Sequence, residues 1–211
     1  MTSEKKKFTY PAADRNKEPI LQVLKQYIDA EACDQKLLEI SSGSGQHVAH
    51  FAPHFPKLAF YPSEYDQRLL GSIEVYTEGM SNVRPPCRID VSEDHEQWPE
   101  KFPESSFDYV YNCNLFHVSP WKCSVGVFRN AGKLLKAGGL LITYGALAID
   151  GVIAPESNVM FDENIRSQDP EWGIRDLADL SKVAKEHGIE LQKVIDMPAN
   201  NKIVIWKKVV E

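Results

Sequence analysis

The chain has 211 residues, of which 43% are hydrophobic and 26% charged, and carries a formal net charge of −6. That is the composition of one soluble globular domain able to form its own core without disulfide or metal support. No stretch approaches the roughly 18 consecutive apolar residues of a membrane helix, and the negative balance gives no general attraction for a nucleic-acid backbone.

The opening residues, MTSEKKKFTYPAADRNKEP, have lysines without an apolar run behind them. They read as neither secretory signal nor transit peptide, so a cytoplasmic or nuclear location is expected. Residues 1–18 form an N-terminal segment expected to be flexible at its start, with Lys5–Lys7 as a solvated basic cluster. Pro19 marks the start of a first helix bearing Ile20, Leu21, Leu24, Tyr27 and Ile28 at helical spacing. LLEIS (37–41) is a short buried strand. GSGQHVAHFAPHF then turns into a helix that Pro53 disturbs, and LAFYPSE (58–64) is a second strand. A helix over 67–77 precedes the strand CRIDV (87–91), and FDYVYNCN (107–114) is a fourth.

SVGVFRNAGKLLKAGG (124–139) is expected to be helical, with Gly138-Gly139 as its stop, leading into LLITYGAL (140–147). The piece 145–175 is longer than a plain connection and reads as a functional loop or lid. Residues 176–187 form an amphipathic helix. IELQKVIDM and NKIVIWKKV close the chain as strands joined by PANN, too short for a crossover, so these two run antiparallel. Strands alternating with helices imply a single α/β domain over 1–211: a mostly parallel, seven-stranded sheet covered on both faces, with one reversed strand near its edge.

Cys33, Cys87, Cys113 and Cys123 lack metal-ligand spacing and read as reduced, buried thiols. His47, His50 and His54 lie 3 and 4 apart, but Pro53 interrupts their helix and no Cys or acid completes a set, so no metal site is expected. Trp98, Phe102 and Phe107 read as packing residues.

In an open α/β sheet, ligands bind beyond the carboxyl ends of the strands, and SSGSGQH is the turn after the first strand. Gly43 and Gly45 let the backbone approach a ligand closely. Glu39 lies inside the first strand; Glu64 ends the second, where a carboxylate can accept both hydroxyls of a ribose; and Asp90 ends the third. A dinucleotide favours a third glycine where this chain has Val48, and a helix N-terminus clear of acids. S-adenosylmethionine brings a sulfonium, an ammonium and a ribose without phosphate, so the acids favour it.

The run LLEISSGSGQH, SEYD, CRIDV, FDYVYNCNLFH and LLKAGGLLITYG resembles the landmarks of class I S-adenosylmethionine-dependent methyltransferases, and the match covers most of the chain. FTYPAADRNKEPIL, NLFHVSPW, SNVMFD, WGIRD and MPANNK resemble the small methyltransferase-like protein twenty-six family. The resemblance implies the Rossmann-like, doubly wound class I fold and a methyl transfer to a small-molecule or protein acceptor. It implies Glu39, Gly43 and Gly45 as the glycine-loop motif, Glu64 as the ribose acid, Asp90 with Val91 beside the adenine, and Asn112 to His117 along the methyl-transfer face. Ser41 stands where the class motif most often has its first glycine.

Methyl transfer needs a nucleophile held in line with the methyl carbon and, where necessary, a base. Asn114, His117 and Tyr144 follow or end strands. His117 reads either as that base, from an ordinary pKa near 6.5, or as a buried histidine satisfied by a carbonyl. Arg15 and Asn16 before the first helix, Asn158, Phe161, Trp172 and Arg175 in the insertion, and Asn200 and Asn201 in the hairpin are candidates for the acceptor. The two arginines suit a carboxylate or phosphate on a small substrate, or equally surface ion pairs. Competing readings are a non-catalytic S-adenosylmethionine-binding interaction protein and a nicotinamide-dependent oxidoreductase.

Overall fold

A computed structural model of the chain describes residues 6–209. Lys5 of the basic cluster and the start of the 1–18 segment lie outside the described residues. Seven strands form one sheet in the order β3-β2-β1-β4-β5-β9-β8. The strands are β1 (Gln35–Ile40), β2 (Leu58–Glu64), β3 (Cys87–Arg88), β4 (Phe107–Cys113), β5 (Leu135–Gly145), β8 (Ile189–Met197) and β9 (Asn201–Lys208). β1–β2, β2–β3 and β4–β5 pair parallel, whereas β9 runs antiparallel to both β5 and β8. This is the expected mostly parallel sheet with one reversed strand. No helix among the described residues is long and apolar enough to cross a membrane.

The chain divides into two compact units, Met1–Asp90 with Trp98–Lys101, and Val91–Gln97 with Phe102–Glu211. In the first, the last four residues of β1 are all buried, as expected of a parallel strand covered on both faces. Helix α1 runs Pro11–Tyr27, with Pro11 in its first turn and Pro19 in its interior, so it begins eight residues before the expected start. Its early turns carry no apolar stripe. They are held instead by Asn16 Oδ1 to His47 Nε2 (2.7 Å) and Glu18 Oε2 to His50 Nε2 (2.9 Å), contacts that no periodicity announces. Only Ile20, Leu21, Val23 and Leu24 of this helix are buried. Helix α2 (Gln46–Phe51) gives way to a 3₁₀ turn through Pro53, and α3 (Gln67–Tyr76) is capped by Asp66, which accepts from the Arg68 N–H.

β3 is shorter than the expected 87–91 strand. The carbonyl of Asp90 accepts from Trp98 Nε1 at 2.9 Å, which draws the chain away from the ladder.

In the second unit, α4 spans Trp121–Leu134 and ends before Gly138-Gly139. The predicted helical tail Leu135–Gly139 belongs to β5, where the register slips between Phe107–Leu135 and Tyr109–Leu140. Lys136 bonds Asp108 at 2.8 and 2.9 Å across this irregularity, so the glycine pair serves a bulge rather than a helix stop. The hairpin connection, Pro198–Asn200, is a tight turn with left-handed backbone at Ala199 (φ +57°) and Asn200 (φ +59°), and Trp206 of β9 is buried with Nε1 donating to Thr143 Oγ1 at 3.0 Å.

The 145–175 piece contains β6 (Leu147–Ala148), α5 (Glu156–Gln168) and the start of β7 (Arg175–Asp176), and β6 and β7 form a second, parallel two-stranded sheet. Asp162 ties α5 down, accepting from Ile174 N (2.6 Å) and Arg166 Nε (2.7 Å). Helix α6 (Leu177–Glu186) follows, with Asp176 as its cap.

Among the described residues the four cysteines form no disulfide, but Cys33 is exposed and the other three are half-buried. The expectation of buried thiols therefore fails: Cys33 lies in the turn region between α1 and β1, outside any apolar layer. Trp98, Phe102 and Phe107 are buried packing residues as expected.

Candidate active site

In the first unit the glycine turn is stitched to the end of β2. Ser42 N donates to the Ser63 carbonyl (2.8 Å), Ser63 N to Ser42 Oγ (3.1 Å), and Ser63 Oγ to the Glu39 carbonyl (2.7 Å). Glu64 completes the stitching. Its Oε2 accepts from Gly43 N at 2.8 Å, and Oε1 accepts from Tyr65 N (2.8 Å) and Asp66 N (3.1 Å). Burial pushes the Glu64 pKa up, and these backbone donors pull it down. Glu39 differs. It is 2% exposed, and its Oε2 has no hydrogen-bond partner. Burial raises its pKa to about 7; a hydrogen bond to Ser42 works against that shift, and the neighbouring Glu64 adds to it. A buried carboxyl with an unmatched oxygen is a group that a cationic or hydrogen-bond-donating ligand would satisfy.

The turn takes left-handed backbone at Ser41 (φ +59°), Gly43 (φ +57°) and Gly45 (φ +95°). Ser41 thus adopts the conformation a glycine would hold without strain, and the position needs that conformation rather than the missing side chain. Ser41→Gly should leave the thermal midpoint within a few degrees of wild type, because relieving about 1 kcal/mol of left-handed strain offsets the added freedom of the unfolded chain. A large loss of stability would show that the serine side chain matters.

Asn16 is taken up by His47, whose burial lowers its pKa to about 4, and Arg15 is exposed on α1. His50 pairs with Glu18. Among the described residues no three His, Cys, Asp or Glu side chains gather as a metal-binding group.

In the second unit, Val91 is buried, and its carbonyl accepts from Asn130 Nδ2 at 3.1 Å. Asn112, inside β4, is 0% exposed with neither Oδ1 nor Nδ2 partnered. Asn114 follows with φ +59°, its N–H donating to the Tyr144 carbonyl at 2.7 Å. His117 is 3% exposed, and its Nδ1 is unpartnered. It lies edge-on to Phe161, with ring centroids 5.2 Å apart, and Nδ1 and Cε1 would be 3.2 Å from a β carbon placed on Gly145. Asn114, His117, the end of β5 at Tyr144–Gly145 and Phe161 are thus gathered. The ordinary pKa near 6.5 behind the base role does not hold. Burial, with Arg175 adding to it, lowers His117 to about 4, so at neutral pH it is an uncharged, weakly basic hydrogen-bonding group.

The remaining insertion and hairpin candidates hold the chain to itself. Arg175 donates to the carbonyls of Phe116 (3.0 Å), Ser119 (2.7 Å) and Glu171 (2.7 Å) and lies over the Trp121 ring, a backbone clamp rather than the surface ion pair considered from sequence. Asn158 Nδ2 donates to the carbonyls of Ala154 (3.1 Å) and Asn200 (3.3 Å), and Asn200 Nδ2 reaches Ser157 Oγ (3.2 Å). Asn201 Nδ2 donates to the carbonyls of Pro198 and Ala199. Trp172 is half-buried, its N–H donating to the Asp169 carbonyl at 3.0 Å. Sequence reasoning missed Tyr10, Gln46 and Ser72, which brace the glycine turn; Pro11 opening a helix directly after Tyr10 was the available signal for the first.

The fold is that of known methyltransferases. The chain is similar to a putative sarcosine dimethylglycine methyltransferase from Galdieria sulphuraria, with TM-score 0.72 and 14% identity over 96% of this chain and 92% of that one. It is similar to the mitomycin 7-O-methyltransferase MmcR, with TM-score 0.74 and 15% identity over 92% of this chain and 54% of that one. It is also similar to human N-acetylserotonin methyltransferase in complex with SAM, with TM-score 0.71 and 12% identity over 92% and 52%. The chain spans about half the length of the latter two. At these identities the likeness establishes the fold. A family model described as "Protein of unknown function (DUF938)" matches residues 6–208, and the chain belongs to that family.

Proposed function

We propose that this chain is an S-adenosylmethionine-dependent methyltransferase acting on a small molecule or an exposed protein group. One observation carries the reading: a left-handed glycine turn pinned by Glu64 stands beside the buried Glu39 carboxyl, whose Oε2 lacks a partner. Both acids suit a ligand that is cationic and carries a ribose, and neither suits a pyrophosphate. Three fold neighbours named as methyltransferases, one of them in complex with SAM, support the class.

Bound S-adenosylmethionine supplies a methyl group made electrophilic by its sulfonium. In the first unit the residues that would hold it are Glu39, Gly43 and Glu64, with Asp90 toward the base. Glu64 would present to a ribose hydroxyl the one lone-pair site that its three backbone donors leave, on Oε2. In the second unit, Asn112 brings a fully buried amide with free donor and acceptor capacity. His117, neutral at working pH, would accept a hydrogen bond from the acceptor's O–H or N–H through Nδ1 and orient its lone pair. With so low a pKa it suits an acceptor that gives up its proton readily, and it does not strip a tightly held one.

Titration calorimetry with S-adenosylmethionine, S-adenosylhomocysteine and NAD tests the reading. Binding of the two sulfur nucleosides and not of NAD is expected; the reverse preference, or no binding of any, overturns it. Incubation of cell extract with the protein and methyl-labelled donor then separates an enzyme from a silent binder.

A further inference from the structure

The glycine turn is braced from outside by the segment that precedes α1. Phe8 N donates to Ser72 Oγ (2.9 Å), whose hydroxyl donates to the Ser44 carbonyl (2.9 Å). Tyr10 N donates to Gln46 Oε1 (2.7 Å), and Gln46 Nε2 donates back to the Tyr10 carbonyl (3.3 Å). The same Gln46 oxygen accepts from Ser44 Oγ (2.7 Å). Residues 8–10 are therefore bolted at two points to Ser44, the residue between Gly43 and Gly45. Thr9 Oγ1 and the Tyr76 hydroxyl (2.8 Å), with Lys7 over the Tyr76 ring at 4.1 Å, fasten the segment to α3.

With its backbone so fixed, the Tyr10 ring faces the side-chain position of Gly43: Cε2 lies 3.9 Å from where a β carbon on that glycine would stand. Yet Tyr10 remains 45% exposed. An aromatic ring held rigidly over a turn that lacks side chains, with much of its surface still wet, offers more to a ligand than to the core. Building on the donor reading above, we propose that Phe8–Tyr10 is a strap belonging to the donor site, with the Tyr10 ring covering the bound nucleoside at Gly43. The strap and turn share Gln46 and Ser44, so donor binding and strap docking reinforce each other.

The test uses the full chain and S-adenosylhomocysteine. Tyr10→Ala should weaken binding about ten- to thirtyfold, the scale of an aromatic face left uncovered, with a thermal midpoint close to wild type because the ring is half exposed. Tyr10→Phe should bind within about twofold of wild type, since the ring and not the hydroxyl makes the cover. Reciprocally, S-adenosylhomocysteine at saturation should slow tryptic cleavage after Lys6 and Lys7 by a similar factor.

Wild-type protein that binds no S-adenosylhomocysteine would overturn the donor reading and this inference with it. Wild-type binding that Tyr10→Ala leaves within twofold would overturn the strap alone. Should Tyr10→Ala fail to fold, the wild-type cleavage rate decides: protection supports the strap, and an unchanged rate overturns it.

Discussion

Glu39→Gln should stabilise the ligand-free protein at pH 8 while weakening its grip on S-adenosylmethionine. In the folded chain burial holds the Glu39 pKa at about 7, against 4.5 for the ordinary carboxyl. The native state therefore binds the proton more tightly than the unfolded state does, and stability falls as pH rises from 4.5 through 7. Above pH 7 the full cost of the buried charge is present, on the order of 3 kcal/mol for a shift of this size. Glutamine removes the charge but keeps an imperfectly paired amide, so the expected gain is about 2 kcal/mol at pH 8, or about 4–8 °C in midpoint for a chain of this length. At pH 4.5 the advantage should vanish.

Binding goes the other way. A donor cation would give Oε2 the partner it lacks, and losing that charge-assisted contact should cost about 1.5–3 kcal/mol, ten- to a hundredfold in affinity. Wild-type binding near pH 6 should also release a proton, visible as a dependence of the calorimetric heat on buffer ionisation enthalpy that Glu39→Gln abolishes. A stability difference between the two proteins that is the same at pH 5 and pH 8 would refute the buried-charge account, and an unchanged affinity would detach Glu39 from the site.

The inner strands were legible because they are largely buried and so read as apolar runs, and LAFYPSE coincides with β2 to the residue; the edge strand IELQKVIDM is mostly exposed, yet its bounds, set between Gly188 and PANN, coincide with β8. What failed was whatever depends on contacts distant in sequence. The early turns of α1 are polar and hang on His47 and His50. The Gly138-Gly139 pair looks like a helix stop until Asp108, far away in sequence, bonds Lys136. The candidate site shows the same division. Glu39, Gly43 and Glu64 were readable because spacing along a strand and its turn places them, and Glu64 does reach Gly43 N. The environment of His117 was not, for its basicity is set by burial and by Arg175, neither of which a residue type discloses. Arg175 itself carries the charge expected of an anion-binding residue, but it spends its donors on three carbonyls.

The two glycines of the turn, alike in sequence, should separate cleanly on mutation. A β carbon on Gly45 would stand 2.7 Å from the Ile73 α carbon of α3, a backbone atom that cannot swing aside, and the residue has φ +95°. Gly45→Ala thus combines left-handed strain with overpacking, together on the order of 4 kcal/mol, and should lower the midpoint by about 10 °C or more; a bulkier residue such as valine should do worse. Gly45 is therefore a poor test of ligand contact, because any loss of binding would follow from loss of fold. Gly43 is the better probe. Its added β carbon would meet only the Tyr10 ring, at 3.9 Å and φ +57°, so Gly43→Ala should cost about 1–2 kcal/mol of stability and keep the fold. If the donor approaches the backbone there, the methyl group occupies its space, and S-adenosylhomocysteine affinity should drop about tenfold or more. Thermal unfolding and calorimetry on the pair decide the matter. A midpoint for Gly45→Ala within about 2 °C of wild type would contradict the packing described for α3, and undiminished binding by Gly43→Ala would mean that the ligand does not touch this turn.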